Sequence, residues 1–136
     1  MVNDKTILLV EDDLDTREAL DRLLSDAGYE VIPAASGKQA IEYLLADPAR
    51  PPDVVVLDLM LPLVSGWRVL DLIRADVRLA GIPVVVTTGV SDRPRGADVV
   101  MRKPLDWASF LEEIDRLAAR ISQAPAHIVR LPSPSV

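Results

Sequence analysis

Five side chains of this sequence could do chemistry together if the fold brought them to one place. Glu11 and Asp12 follow the apolar run Thr6-Ile7-Leu8-Leu9-Val10, and Asp58 ends the run Val54-Val55-Val56-Leu57. Thr88 closes a third run that begins at Ile82, and Lys103 follows Val99-Val100-Met101-Arg102. Carboxylates crowded into one crevice repel one another, and each tends to hold a proton unless a cation intervenes. A hard divalent ion with oxygen ligands meets that need, and Mg2+ takes one or two carboxylates together with waters and phosphate oxygens. Lys103 would add a compact positive charge beside Asp58, and Thr88 a hydroxyl able to donate to an anionic oxygen. A nucleophilic carboxylate, a metal seat, an ammonium and a hydroxyl suit phosphoryl transfer onto Asp58, where positioning and charge neutralisation dominate the catalysis.

The elements that must position these groups are read from periodicity. Unbroken apolar runs such as Val54 to Leu57 belong to strands buried on both faces, the habit of a parallel sheet. The segment from Leu14 to Ala27 carries Leu20, Leu23 and Leu24 at helical spacing, and Gly28 stands where a helix C-terminus favours glycine. Tyr29 to Ile32 alternates, as an edge strand does. Ser36 and Gly37 precede a helix holding Ala40, Ile41, Leu44 and Leu45, which Pro48, Pro51 and Pro52 break. Gly66 leads into a helix marked by Val69, Leu70, Leu72 and Ile73. The stretch from Val90 to Asp98, interrupted by Pro94 and Gly96, is too short for a full helix. A last helix, capped by Asp106, places Phe110, Leu111, Ile114, Leu117 and Ile121 on one face. From Gln123 onward prolines and serines predict an extended tail.

This β-α-β-α-β-α-β-loop-β-α order predicts an α/β fold with right-handed crossovers and helices on both faces of a parallel sheet. The commonest arrangement that fits is the flavodoxin-like, doubly wound, five-stranded order 2-1-3-4-5. There the ends of strands 1 and 3 are neighbours at the switch point, which brings Glu11 and Asp12 to Asp58.

Composition narrows the function classes. A length of 136 residues with 49% hydrophobic content suits one globular domain. The net charge of -6, with acids spread throughout, argues against a broad nucleic-acid footprint. The absence of cysteine excludes disulfides and thiolate metal sites. No leader-like segment and no apolar stretch of about 18 residues occurs, so the expected location is cytoplasmic, without membrane contact. An aspartate-nucleophile phosphatase would need a second aspartate two residues after the nucleophile, where this chain has Met60, and no Gly-rich loop follows the first strand to hold a nucleotide or flavin.

With these residues in place, the sequence resembles the receiver domain of bacterial two-component response regulators, whose fold is CheY-like. The matching residues are Ile7-Leu8-Leu9-Val10-Glu11-Asp12-Asp13 with Arg17, then Gly28-Tyr29-Glu30-Val31 with Ala35, Gly37 and Ala40. Asp58 is spaced normally to Pro62 and Gly66, Pro83 to Thr88-Gly89, and Lys103-Pro104 follows. The resemblance implies that Asp58 is the phosphoacceptor and that Glu11 and Asp12 are the acidic pair. It gives Mg2+ to Asp12, Asp58 and the backbone carbonyl of Met60, with Glu11 beside them. Thr88, favoured over Thr87 by its spacing from Pro83, becomes the switch hydroxyl, and Lys103 the family's lysine.

The implied partners are a sensor histidine kinase or histidine phosphotransfer protein and a downstream protein, with no direct binding to nucleic acid; oligomeric state stays open. The expected organisation is a stand-alone receiver domain over 1–122 and a tail over 123–136 with no output domain, a signalling module rather than an enzyme. Two departures stand out. The helix that the family places between strands 4 and 5 is shortened or absent, and Val100 occupies the usual aromatic position. The rival reading is a receiver-like binding module that works without phosphorylation.

Taken singly, each residue has a plainer reading. Glu11-Asp12-Asp13 could be a solvated helix start, Asp58 a cap and Lys103 a surface lysine; their combination carries the functional reading. His127 reads as incidental, and Trp67, Trp107 and Phe110 as packing or interface residues. Arg93, Arg95 and Arg102 form a basic cluster that solvation explains, with partner docking the alternative.

Overall fold

The computed structural model describes residues 4–46 and 50–130, with side chains to Arg120. The elements follow in the order β1 (Thr6–Val10), α1 (Leu14–Asp26), β2 (Glu30–Ala34), α2 (Gly37–Ala46), β3 (Val54–Asp58), α3 (Gly66–Ala75), β4 (Val84–Thr88), β5 (Val99–Arg102) and α4 (Trp107–Arg130). The strands form one sheet in the order β2-β1-β3-β4-β5, and every pairing is parallel. The expected doubly wound order is therefore the observed one. In register, Val10 pairs with Leu57, Asp58 with Thr87, and Thr88 with Arg102.

Strand alternation divides the core in two. Val55 and Leu57 point to the side covered by α2 and α3, where Ala40, Leu44, Val69, Leu70 and Ile73 are buried. Val54 and Val56 point to the other side, against Leu20 and Leu24 of α1 and Phe110, Ile114 and Leu117 of α4. Every residue of β3 and β4 is buried, which explains why their sequences run apolar without alternation. β2 and β5, with a neighbour on one side only, are partly exposed; β2 carries Pro33, which has no N–H to give a ladder.

Caps set where the helices begin. Asp13 accepts from the amide of Thr16 at 2.9 Å, Ser65 from that of Arg68 at 3.3 Å, and Asp106 from that of Ser109 at 3.1 Å. The expected Asp106 cap is thus present. Between β4 and β5 no helix forms among the described residues, as the broken sequence predicts. Arg74, at the end of α3, anchors that segment instead. Its guanidinium donates to the carbonyls of Gly96 (2.8 Å), Ala80 (3.0 Å) and Ile82 (2.6 Å) and pairs with Asp98 at 2.9 Å. Asp98 in turn accepts from the amide of Val84 at 2.7 Å. Nothing in the sequence singled Arg74 out, because its partners are mostly backbone carbonyls.

One expectation is corrected. The tail predicted to extend from Gln123 is helical in backbone to Arg130, so α4 passes through Pro125. A proline removes one helical donor, but Ala118, Ala119, Ala124 and Ala126 flank it with the strongest helix former. Residues 131–136 of that tail, and Pro48 in the break after α2, lie outside the described residues.

Gly66 lies where no side chain fits. A Cβ there would stand 2.3 Å from the carbonyl oxygen of Asp58 and 2.6 Å from the Cα of Leu59. Since both neighbours are backbone, Gly66→Ala is expected to destabilise the fold by about 1–3 kcal/mol, the usual cost of overpacking. Urea unfolding of the two proteins measures this, and an unchanged midpoint would show that the β3–α3 loop yields freely.

Candidate functional site

The switch point of the sheet sets Glu11, one residue beyond β1, level with Asp58 at the end of β3, because Val10 and Leu57 are register partners. The amide of Glu11 donates to Ala34 O at 3.1 Å, extending the ladder by one residue. Both carboxylates are deeply placed: Glu11 is 1% and Asp58 4% exposed. Asp12, next in the chain, is exposed at the mouth of the crevice. Carboxylate oxygens from Glu11, Asp12 and Asp58 all lie within 4.8 Å of one another.

Lys103 closes the far side. Its Nζ lies 3.0 Å from Glu11 Oε1 and 3.2 Å from Asp58 Oδ2. The sequence suggested the approach to Asp58; the equal claim of Glu11 on the same ammonium is new. The other oxygen of Asp58 accepts from the amide of Met60 at 3.1 Å, and the second oxygen of Glu11 from that of Asp13 at 3.2 Å. Arg17 steadies the β1–α1 turn by donating to the carbonyl of Glu11 at 2.9 Å and reaching that of Asp12 at 3.4 Å. Asp13 turns away to cap α1, and the bonds from Thr16 hold its carboxyl below the usual aspartate range.

Thr88 is buried at the end of β4, and its backbone carbonyl accepts from the amide of Lys103 at 2.7 Å. Its hydroxyl is engaged by its own loop: Oγ1 accepts from the amide of Val90 at 3.0 Å and lies 3.4 Å from that residue's carbonyl. Thr87, the competing threonine, is buried as register partner of Asp58. Val100 packs partly buried against the α2–α3 side of the core. Of the basic cluster, Arg102 contacts Ser91 Oγ at 3.4 Å, and all three arginines are exposed. Phe110 is buried in the core on the α1–α4 side and Trp67 packs against the core on the α2–α3 side, whereas Trp107 is exposed.

Burial and charge act together on these groups. Burial pushes the Glu11 carboxyl above its ordinary value and the charge of Asp58 adds to this, against the opposing bond from Lys103. For Lys103 burial works against the ammonium, but the bond to Glu11 and the charges of Asp58 and Glu11 outweigh it and hold its pKa above the ordinary lysine value. One ammonium thus faces two carboxylates with a third at the mouth. An all-oxygen donor set with excess negative charge is what a hard divalent cation such as Mg2+ requires, and this cluster fits one.

The fold and this crevice define a class of doubly wound α/β domain with an acidic site at the switch point of its sheet. Residues 7–115 match the family model described as the response regulator receiver domain, and the chain belongs to that family. Among curated proteins it is 34% identical over 125 residues to the transcriptional regulatory protein GltR of Pseudomonas aeruginosa, covering 87% of this chain and 50% of that protein. It is likewise 34% identical over 128 residues to the DNA-binding dual master transcriptional regulator RpaA of Synechocystis, covering 88% and 51%. The chain thus spans about half the length of these relatives. Among solved structures, a signal receiver domain of a signal transduction histidine kinase from Syntrophus aciditrophicus superposes with TM-score 0.78 at 26% identity, covering 88% of this chain and 93% of that one. The receiver domain of a Pseudomonas aeruginosa sensor histidine kinase, solved with magnesium coordinated in its active-site cleft, shares the fold with TM-score 0.77 at 23% identity, covering 86% and 99%. Among the described residues no helix is long and apolar enough to cross a membrane.

The raised pKa of Glu11 has a consequence for stability. The folded value lies above the unfolded one, so the native state holds the proton more tightly and stability falls as pH rises from 4.5 through the folded pKa. Glu11→Gln, which keeps the neutral shape, is therefore expected to be more stable than the wild type at neutral pH in metal-free buffer. The gain should shrink as pH falls through the folded pKa of Glu11 and level off by 4.5. Urea midpoints across this range give the answer, and a gain independent of pH would contradict the assignment.

Proposed function

We propose that this chain accepts a phosphoryl group on Asp58 from a histidine kinase or histidine phosphotransfer protein and, so modified, changes its contacts with other proteins in a phosphorelay. The observation that carries this reading is the paired treatment of the Asp58 carboxylate. One oxygen is held by Lys103 at 3.2 Å and the other by the Met60 amide at 3.1 Å, with Glu11 and Asp12 beside them. A carboxylate oxygen of Asp58 attacks phosphorus, the phosphorus–nitrogen bond to the donor imidazole breaks, and an acyl phosphate forms on Asp58. The freed imidazole leaves with the electron pair of that bond. Because the group stays on the chain, the protein acts as a stoichiometric acceptor rather than an enzyme that turns over a substrate.

Glu11, Asp12, Asp58 and the backbone carbonyl of Met60 would hold Mg2+, whose contribution is to neutralise charge on the phosphoryl oxygens. Lys103 is placed to pair with the same oxygens once Asp58 is esterified. Thr88, whose hydroxyl is bonded only within its own turn, is the group that can swing toward them, releasing Val90 and re-forming the loop up to Arg102. The shortened loop and Val100 support the other reading, a module that binds without phosphorylation, and the same experiment separates them.

Wild-type protein incubated with a small phosphodonor and Mg2+ is expected to gain one phosphoryl group by intact mass, and Asp58→Ala none. Equal incorporation in both, or none in the wild type, ends the phosphoacceptor reading. The metal seat is tested by Trp67, which lines the groove next to Asp12 and Met60. Its fluorescence should respond to Mg2+, and Asp12→Asn should move the midpoint to higher Mg2+; an unmoved midpoint would remove Asp12 from the seat.

A further inference from the structure

Two consecutive residues at a strand end do not ordinarily aim their side chains at one point. Successive side chains of a strand face opposite sides of the sheet. β1 obeys this as far as Val10: Ile7 and Leu9 pack on the side of α1 and α4, Leu8 and Val10 on that of α2 and α3. Continued as a strand, the chain would send Glu11 and Asp12 apart. Instead their carboxylate oxygens lie within 4.8 Å of each other and of one from Asp58. The chain leaves strand geometry here and bends at Asp12.

The bend is held by Arg17, in the first turn of α1. A single nitrogen, Nη1, donates to the carbonyl of Glu11 at 2.9 Å and reaches that of Asp12 at 3.4 Å. Consecutive carbonyls of an extended chain point to opposite sides of it, so one nitrogen reaches both only where the chain turns. A second tie comes from the amide of Asp13, which donates to Glu11 Oε2 at 3.2 Å. Arg17 is half-buried, yet it forms no ion pair among the described residues. Its charge is directed at neutral carbonyls, whereas Lys103 pairs with the carboxylates themselves.

We propose that Arg17 is the positioning residue of the metal seat. By gripping both carbonyls it fixes the bend that turns Asp12 toward Glu11 and Asp58, and it does so without neutralising a ligand carboxylate. This rests on the reading of those three acids as the seat for Mg2+. The sign of the effect separates this role from plain electrostatics. Removing a positive charge near a cation site strengthens cation binding by Coulomb's law, whereas losing the bend weakens it.

The test measures Mg2+ binding by calorimetry, with Trp67 fluorescence alongside, at one pH and one salt concentration. Arg17→Gln is expected to raise the Mg2+ dissociation constant about tenfold, as for loss of a group that orients a metal ligand. Arg17→Lys keeps the charge but offers one ammonium in place of the guanidinium, and should fall between wild type and Arg17→Gln. Arg22→Gln removes the same charge from an exposed position farther along α1 and should bind as the wild type does. On an Asp12→Asn background Arg17→Gln should add little, since the carboxylate it positions is gone. Binding by Arg17→Gln as tight as wild type or tighter, equal weakening in Arg22→Gln, or a full tenfold loss on the Asp12→Asn background would each overturn the proposal. If thermal melting in metal-free buffer shows Arg17→Gln to be unfolded, Arg17→Lys decides, and wild-type binding by that variant overturns it. A wild type that binds no Mg2+ would remove the metal seat itself, and the proposal with it.

Discussion

The position of one ammonium governs the rest of this structure. Lys103 Nζ lies within 3.2 Å of carboxylates that come from β1 and β3, although its own strand is separated from β3 by β4. Two nearly buried carboxylates cannot share a crevice without a compensating charge. The ends of three strands must therefore finish at matching heights. The register meets this requirement: Glu11 and Asp58 are level, while Lys103 stands past the level of Asp58 and reaches back over the end of β4. The compensation is incomplete, since three acids face one lysine. That excess of negative charge is the kind a divalent cation would balance, so the arrangement that pairs the buried acids also leaves the crevice suited to one.

How much of this could be read from the sequence depends on how local the cause is. The buried strands were legible because Val54 to Leu57 and Val84 to Val86 are apolar on both faces, a direct imprint of the parallel sheet. The acidic pair, Asp58 and Lys103 were legible because each stands at the end of such a run. The Asp13 and Asp106 caps follow short-range rules. The Lys103–Glu11 contact was not legible, since it joins residues far apart in the chain and depends on strand heights that no local pattern encodes. The positive φ of Leu63 was hidden for the opposite reason: leucine is the wrong residue for that conformation. The helical backbone beyond Gln123 was missed because Pro125 reads as a breaker when its alanine neighbours are set aside.

The segment between β4 and β5 shows how a domain manages without a helix. Where a helix would satisfy its own backbone, this stretch hands carbonyls to a side chain. Arg74 takes those of Gly96, Ala80 and Ile82 together with the Asp98 carboxylate. The half of the segment next to β5 is therefore fixed, and the half next to Thr88 is held mainly by the Thr88–Val90 turn and the contact between Ser91 and Arg102. Any rearrangement that begins at Thr88 has a short, defined stretch in which to act.

The two outer strands of the sheet have a bearing on how the molecule behaves among copies of itself. An open strand edge is a template on which another chain can add a strand. Here β2 carries the exposed Pro33, and β5 spans only Val99–Arg102 before Lys103 and Pro104. A missing donor blunts one border, while brevity and clustered positive charge blunt the other. Backbone pairing with another copy is consequently disfavoured at both borders of the sheet.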